Sequence, residues 1–439
     1  MKFYIETFGC QMNEHDSEKM CYLLVNDGFE QAEDAEDADV VVVNTCCVRE
    51  KAEQKFYSYM GRLRSLKKRH GTILGVTGCI AQFEKNGIAA RLPFIDFSLG
   101  TSNIHKISEA IKQANRKVPF FDFSENGCCP SILITAENKN HGIKTFITIM
   151  KGCNNFCSYC IVPYVRGREV SRESKDILNE VKSLAEQGIK EVTLIGQNVN
   201  SYNKGSSDIS FPELLQTING IDGIERIRFV TSHPKDLSIE LINCFGRLDK
   251  LCEHIHLPFQ SGSDKILKLM NRGYTADEYV DKINELRKLS GDIAITADCI
   301  VGFPGEDEEA FKNTIELIQY VEFDGIFSFA YSPRRDTAAS RLQEEVPKGL
   351  ALERLRHLQE IQKTITIKKN RAIEGKIVEV LVEGTSKNSE EELTGRTRTN
   401  KIVNFKCNKD IAGKTADVRI VKGYANSLRG EELKEERYV

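Results

Sequence analysis

The sequence predicts an α/β protein in three parts: an N-terminal open parallel α/β sheet, a central partial (β/α)6 barrel and a small C-terminal β-barrel. Three patterns lead there. Short apolar runs followed by amphipathic helical runs recur over residues 1–115, as βα units on a parallel sheet require. A second alternating series, with six apolar runs, fills 146–370. From about Ile373 the pattern changes to short strand-like runs broken by Gly turns, which suits a small β-barrel over 371–439. At 439 residues the chain is long enough for about three domains.

In the first part the strands are "KFYIETFGC", "ADVVVVNTC", "TILGVTGC" and "FIDFSLGT". Three of them close on a cysteine: Cys10, Cys46 and Cys79. Ligands of open α/β sheets bind outside the carboxyl ends of the strands, so these three thiols are expected to meet in space. "NTCCV" offers both Cys46 and Cys47, and the phase of the strand favours Cys46. Residues 116–145, with "NGCCPS" and "AENKNHG", carry turn signals and read as a linker.

The second part contains "FITIM", "EVTLIGQN", "RIRFVTS", "HIHLPFQS", "AITADCIVGFP" and "GIFSFAYSP" as strands, and a long helix over about 348–370. Barrels of this kind gather their chemistry at the carboxyl ends of strands. The residues there are Gln197, Asn198, Ser232, His233, Gln260, Ser261 and Asp298, followed by "VGFPGE". The glycines of that last motif permit close approach of backbone to a ligand, or make a tight turn before a helix.

The first strand of this series runs into "KGCNNFCSYCIVPYVRGRE", where Cys153, Cys157 and Cys160 are spaced C-x3-C-x2-C. Thiolates at this spacing suit zinc or iron–sulfur. Zinc sites more often add a second cysteine pair or histidines, and none of the 8 histidines lies in 151–169. Three thiolates on a cubane cluster leave one iron open, and an open metal position marks a catalytic site rather than a structural one. The fourth ligand is then a small molecule.

Composition is ordinary for a globular chain, 40% hydrophobic and 28% charged, with a net charge of -3. Any nucleic acid would have to meet a local basic surface. Residues 49–70 hold eight Lys and Arg against two Glu; such a helix suits a phosphate backbone or is a solvated face. "TGRTRTNKIVNFK", with Arg396 and Arg398, and "KGYANSLRGE" mix basic and aromatic residues, which suits RNA contact and stacking. The start "MKFYIETFGCQMN" is too polar for a signal peptide, and no apolar run reaches about 18 residues. The expectation is a cytoplasmic protein without a membrane partner. In that compartment 14 cysteines are thiols or metal ligands rather than a disulfide framework. Cys21, Cys128, Cys129, Cys244, Cys252, Cys299 and Cys407 have no shared ligand pattern and read as buried or incidental thiols.

The C-x3-C-x2-C motif, with aromatic Tyr159 before its last cysteine and a six-unit βα series after it, resembles the radical S-adenosylmethionine superfamily. Cys10, Cys46 and Cys79 ahead of it resemble the second three-cysteine set of the methylthiotransferases in that superfamily. The resemblance covers nearly the whole chain and makes the last part a TRAM-like barrel. "GCQMNEHDSE", "NTCCVREKA", "YVRGRE", "TSHP", "HLPFQSGSD" and "VGFPGE" are most similar to the branch that acts on N6-isopentenyladenosine.

The resemblance implies two [4Fe-4S] clusters, a radical cluster on Cys153, Cys157 and Cys160 and an auxiliary cluster on Cys10, Cys46 and Cys79. It implies that S-adenosylmethionine chelates the open iron, and that two molecules of it are used to place a methylthio group at C2 of the adenosine next to the tRNA anticodon, at position 37. Tyr159, Gln197, Ser232, Gln260 and Asp298 are candidate cofactor contacts, with rim-holding hydrogen bonds as the alternative. Arg166, Arg168, Arg396 and Arg398 are candidate substrate or RNA contacts. The implied partners are tRNA bearing N6-isopentenyladenosine, an electron donor, and a sulfur-delivery or cluster-delivery protein. Sister enzymes act on N6-threonylcarbamoyladenosine of tRNA or on an aspartate of a ribosomal protein. A non-catalytic, zinc-containing RNA-binding protein is the alternative from a different class.

Overall fold

The computed structural model describes residues 1–47, 50–124, 142–387, 389–407 and 411–433. Its N-terminal sheet contains β1 (Lys2–Phe8), β2 (Glu30–Gln31), β3 (Val40–Thr45), β4 (Ile73–Gly78), β5 (Phe97–Leu99) and β6 (Phe120–Asp122). All neighbours are parallel, in the order β2-β1-β3-β4-β5-β6. Helices α1 (Gln11–Asn26), α2 (Glu50–His70), α3 (Cys79–Glu84), α4 (Gly87–Arg91) and α5 (Ile107–Asn115) complete the unit. Val40 and Val42 pack with Leu24 and Ile107 on one face, while Val41 and Val43 pack with Phe56 and Met60 on the other. Coverage on both faces is why "VVVV" is apolar throughout rather than alternating. Strand order reverses between β1 and β3, the place where such sheets bind ligands.

The sheet extends further than the expected boundary at 115. β6 lies inside the stretch read as a linker, and Phe120 pairs with Phe97. Three residues after "KVP" are too few to show a strand period. Residues 125–141, with Cys128 and Cys129, lie outside the described residues.

The central unit contains β7 (Lys144–Thr148), β8 (Met150–Lys151), β9 (Val170–Ser171), β10 (Glu191–Ile195), β11 (Arg226–Phe229), β12 (His254–His256), β13 (Ala294–Val301) and β14 (Gly325–Ala330). β7, β10 and β11 form one parallel sheet and β12, β13 and β14 another, with a parallel bridge Ile227–Leu251 between them. The antiparallel pair β8–β9 brackets the C-x3-C-x2-C loop. Helices α6 (Val162–Arg166), α7 (Ser174–Glu186), α8 (Phe211–Asn219), α9 (Ile239–Cys244), α10 (Asp264–Leu269), α11 (Ala276–Leu289), α12 (Glu308–Val321) and α13 (Lys348–Arg371) complete it. Val192, Leu194, Ile227, Phe229, Ile255, Ile295 and Ala297 join the helices in one core. The alternate residues Glu191, Arg228, His254, Thr296 and Asp298 therefore face into the barrel. The strands end before the sequence runs do, because polar tails such as "GQN" leave the ladder to form the rim.

The C-terminal unit is a closed barrel of β15 (Ile377–Ser386), β16 (Ser389–Thr397), β17 (Ile402–Lys406), β18 (Thr415–Gly423) and β19 (Leu428–Glu432), in the order β15-β16-β17-β19-β18. Its own core includes Val380, Val403, Phe405 and Val418. The β16–β17 turn closes the floor of the central barrel. Arg226 donates to the Arg396 carbonyl at 2.7 Å, and Arg228 donates to the carbonyls of Thr397 and Arg398 at 2.8 Å. Lys401 pairs with Asp324 at 2.9 Å.

Arg396 and Arg398, the candidate RNA contacts, are both paired within the chain. Arg398 is held by Glu253 at 2.8 Å and by the carbonyls of Asp249 and Leu251. Arg396 is held by Glu383 at 3.1 Å and by Asn400. Arg398 is thus engaged across the domain interface and Arg396 within its own barrel. Among the described residues, no helix is long and apolar enough to cross a membrane.

Candidate functional site

The first site lies at the reversal of the N-terminal sheet. Cys10 caps the start of α1, Cys46 follows β3 and Cys79 opens α3. A buried clasp ties the first two strand ends together: the Asn13 amide donates to Asn44 Oδ1 at 3.1 Å, and the Asn44 amide donates to the Asn13 carbonyl at 2.8 Å. Gly78 enters α3 at φ +92°, and a Cβ there would lie 2.5 Å from the Thr45 carbonyl oxygen. The turn that delivers Cys79 beside β3 therefore requires glycine.

Hydrogen bonding links the thiols. Cys46 contacts both Cys10 and Cys79. Its bond lowers Cys10 to about 6, against the opposing effect of burial and with help from the charge of Arg166. Cys79 is pushed well below its ordinary value by bonds from Cys46 and Cys47, and Cys46 and Cys47, which donate them, are pushed up. Cys47 thus reaches Cys79 as well, but it packs in the core beside Val43 and Val76.

The cation at this site comes from the other domain. Arg166, at the end of α6, forms an ion pair with Asp16 at 2.9 Å, with 7% and 8% of the two side chains exposed. It also hydrogen-bonds Cys79. Arg334, beyond β14, bonds Glu53 at 3.2 Å, and its charge acts on Cys47. Arg166, a candidate contact of cofactor, phosphate or RNA, stands beside the N-terminal thiols.

The second site lies at the mouth of the central barrel. Cys157 is buried, while Cys153 and Cys160 are partly exposed. Burial pushes the Cys153 thiol up to about 11 and the Cys160 thiol up to about 12. Gly152 lets the loop lie against the chain returning at Arg168, whose carbonyl oxygen would be 2.0 Å from a Cβ. Buried Arg272 was not found by the sequence reading. It donates to Cys157 Sγ at 3.4 Å, to Tyr159 at 3.4 Å and to the Pro258 carbonyl at 2.7 Å. His233 lies 3.8 Å from Cys157 Sγ, and burial, then the charge of Arg272, keep its imidazole neutral. An arginine in "NRGYT" carries no local pattern that marks it as a neighbour of cysteine.

The remaining candidates divide by what they touch. Gln197 accepts from the Gly152 backbone and so braces the cysteine loop. Ser232 is buried, and its hydroxyl has no hydrogen-bond partner, which is what a missing ligand leaves behind. Gln260 is buried at φ +68° and itself bridges to Cys299 of β13, and Thr231 stands at φ +67°. Left-handed backbone at such residues costs on the order of 1–3 kcal/mol and is concentrated at functional sites. Asp298 lies 3.5 Å from His256 inside the barrel. Tyr159 meets Phe303 edge to face. Arg168 is exposed and lies 4.3 Å over the Phe156 ring. "VGFPGE" makes a structural joint: Glu306 accepts from the Gly302 backbone at 2.8 Å and pairs with buried Arg354 at 2.9 Å.

Among the described residues, no three His, Cys, Asp or Glu side chains converge on a single metal ion. A cubane cluster does not need convergence, because each thiolate binds a different iron. All six cysteines are free thiols, and soft sulfur donors, a buried cation and an orphaned rim hydroxyl fit iron–sulfur and a polar cofactor.

A three-thiol loop at the mouth of a partial parallel barrel defines the class, that of radical S-adenosylmethionine enzymes. Residues 2–100 match Uncharacterized protein family UPF0004, 147–318 the Radical SAM superfamily and 371–433 the TRAM domain. The chain is 52% identical over 436 residues to tRNA-2-methylthio-N(6)-dimethylallyladenosine synthase of Syntrophus aciditrophicus, covering 99% of this chain and 95% of that one. It is 51% identical over 431 residues to the protein of the same name from Geobacter metallireducens, covering 98% and 97%. The fold is similar to the radical S-adenosylmethionine methyltransferase TsrM from Kitasatospora setae, with TM-score 0.58 and 14% identity over 77% of each chain. This chain belongs to the family of tRNA-2-methylthio-N(6)-dimethylallyladenosine synthases.

Proposed function

We propose that this enzyme adds a methylthio group at C2 of N6-isopentenyladenosine in tRNA, next to the anticodon at position 37. Cys153, Cys157 and Cys160 hold one [4Fe-4S] cluster, and Cys10, Cys46 and Cys79 hold a second. When bound, the clusters and S-adenosylmethionine supply the electron transfer and radical chemistry that an unreactive aromatic C–H demands.

One observation carries the two-site reading. Arg166 follows Cys160 on the same short segment, hydrogen-bonds Cys79 in the other domain and acts on Cys10 through its charge. The N-terminal thiols therefore lie against the segment that follows the barrel's cysteine loop, and this reading holds the base between the two triads. Arg272 keeps a positive charge against Cys157, and Arg166 does so at the N-terminal thiols. Each offsets part of the negative charge that three thiolates accumulate. Ser232, Gln260 and Asp298 line the rim where S-adenosylmethionine binds, and Tyr159 packs beneath it. Adenosine leaves its stack to enter.

The docked C-terminal barrel and the exposed face of α2, with Lys55, Arg62 and Lys68, contact the tRNA backbone. An electron donor and a sulfur-delivery or cluster-delivery protein are further partners in this reading, and a tRNA substrate supports a cytoplasmic location. The test is nucleoside mass spectrometry of tRNA from a strain lacking the gene. Methylthio-isopentenyladenosine should vanish and isopentenyladenosine should accumulate. Loss of only the methylthio form of threonylcarbamoyladenosine would assign the sister substrate instead.

A further inference from the structure

Arg272 differs from the other buried arginines in what it faces. Arg226, Arg228 and Arg354, buried to a similar degree, each pair with a carboxylate, Glu379, Glu191 and Glu306 respectively. Arg272 donates from Nε to the Tyr274 hydroxyl at 3.0 Å, from Nη1 to Tyr159 and to Cys157 Sγ at 3.4 Å, and from Nη2 to the Pro258 carbonyl at 2.7 Å. Among the described residues no carboxylate forms an ion pair with it. A buried cation without an opposite charge is costly. Its partners are phenols, a peptide carbonyl and a thiol, and of these the thiol is the one that metal binding turns into an anion.

A second donor meets the same sulfur. The Lys235 backbone N–H donates to His233 Nδ1 at 3.2 Å, so the proton of the neutral ring sits on Nε2. That nitrogen lies 3.8 Å from Cys157 Sγ. Tyr274 braces both groups: its ring meets His233 edge to face at 5.8 Å, and its hydroxyl donates to the Phe259 carbonyl at 2.8 Å. Cys153 is served differently. It accepts from the Asn155 backbone at 3.5 Å, and the carboxylates that act on it are Glu169 and Asp236. Both are held by the chain, Glu169 by the Asn154 backbone at 3.1 Å and Asp236 by Lys204 at 2.9 Å. The cation in contact with a sulfur of the loop is Arg272, and the sulfur is that of Cys157.

We propose that Arg272 and His233, acting through Cys157, set how readily the barrel cluster accepts an electron. This rests on the reading that Cys153, Cys157 and Cys160 hold an iron–sulfur cluster. One electron passes from a one-electron donor to the cluster, and no bond forms or breaks. The electron adds negative charge to a group that its thiolates have already made negative. A fixed guanidinium and an N–H aimed at sulfur stabilise the reduced state more than the oxidised one, which raises the reduction potential. Arg166 gives less of this help at the N-terminal thiols, because Asp16 already opposes its charge. Arg272 and His233 are positioning residues, since they touch a ligand of the cluster and not the substrate.

The test is a redox titration followed by electron paramagnetic resonance. It uses the full chain, reconstituted with iron and sulfide and carrying Cys10→Ala, Cys46→Ala and Cys79→Ala, so that the barrel site alone is read. Arg272→Gln, Arg272→Lys and His233→Phe are compared in that parent, each with its iron content and its binding of S-adenosylmethionine. At the potential where the parent is half reduced, the ratio of reduced to oxidised cluster should be at least about tenfold lower in Arg272→Gln, a shift of about 59 mV for a one-electron couple. Arg272→Lys, which keeps the charge, should recover most of that loss. His233→Phe should show a smaller fall in the same direction. An unchanged ratio in Arg272→Gln with full iron would overturn the proposal, and weaker S-adenosylmethionine binding alongside it would assign the cation to the cofactor's carboxylate instead. If Arg272→Gln holds no iron, His233→Phe decides: a lowered ratio supports the proposal and an unchanged one overturns it. If the parent holds no reducible cluster, the functional reading fails and this inference fails with it.

Discussion

Arg166 and Asp16 meet at 2.9 Å across the boundary between the first two domains, each with less than a tenth of its side chain exposed. The pair fixes the barrel mouth against α1 and sets a guanidinium beside the N-terminal thiols. Removing one partner of a buried pair costs about 3–5 kcal/mol, because the other charge is left uncompensated. Arg166→Gln should lower the melting temperature and reduce iron bound at the Cys10, Cys46 and Cys79 site, while S-adenosylmethionine cleavage persists. Differential scanning fluorimetry, iron analysis and assay of 5′-deoxyadenosine check the three parts.

The two triads should separate in iron content. Replacing Cys10, Cys46 and Cys79 with Ala should remove about four irons per chain and abolish methylthiolation, yet leave 5′-deoxyadenosine formation. Replacing Cys153, Cys157 and Cys160 should remove a similar amount and abolish both. Cys47→Ser should keep all the iron, since Cys47 bonds only Cys79 of the three thiols. Loss of iron in Cys47→Ser would exchange the roles of Cys46 and Cys47.

The docking of the C-terminal barrel depends on Arg228, which joins Glu191 at 2.9 Å to two carbonyls of the β16–β17 turn. Arg228→Ala strands a buried carboxylate and two acceptors. The expected loss is about 3–5 kcal/mol, read as a lower melting temperature and as faster release by protease of a fragment beginning near residue 371.

The same interface should loosen in acid. Burial alone would raise Asp324, but Lys401 and Lys369 outweigh it and hold the carboxyl below its usual range. Glu253 is held down in the same way by Arg398. A carboxylate with a depressed folded value contributes stability above its unfolded pKa of about 4, and that contribution is lost as pH falls through the folded value. Asp324→Asn should therefore be less stable than wild type at pH 7, and the difference should shrink below about pH 4. A difference that stays constant down to pH 3 would contradict the assignment.

Much of this is legible in the sequence. The valine run of β3, the cysteines at three strand ends and the C-x3-C-x2-C loop each follow from a local period or spacing. Arg166, Arg272 and the Asn13–Asn44 clasp act across 31 to more than 100 residues of sequence, and no local pattern reports a partner at that distance. The partners of Arg396 and Arg398 were not legible, because a basic hairpin tip looks the same whether it faces solvent or the floor of the central barrel. β6 was missed because three residues do not establish an alternation.

The most direct measurement uses the purified, anaerobically reconstituted enzyme. It is given S-adenosylmethionine, a reductant and a mixture of tRNAs carrying isopentenyladenosine and threonylcarbamoyladenosine, and the digested nucleosides are weighed by mass spectrometry. The account predicts that isopentenyladenosine alone gains a methylthio group at C2. Gain on threonylcarbamoyladenosine, or on neither while both thiol sites are loaded with iron, would contradict it.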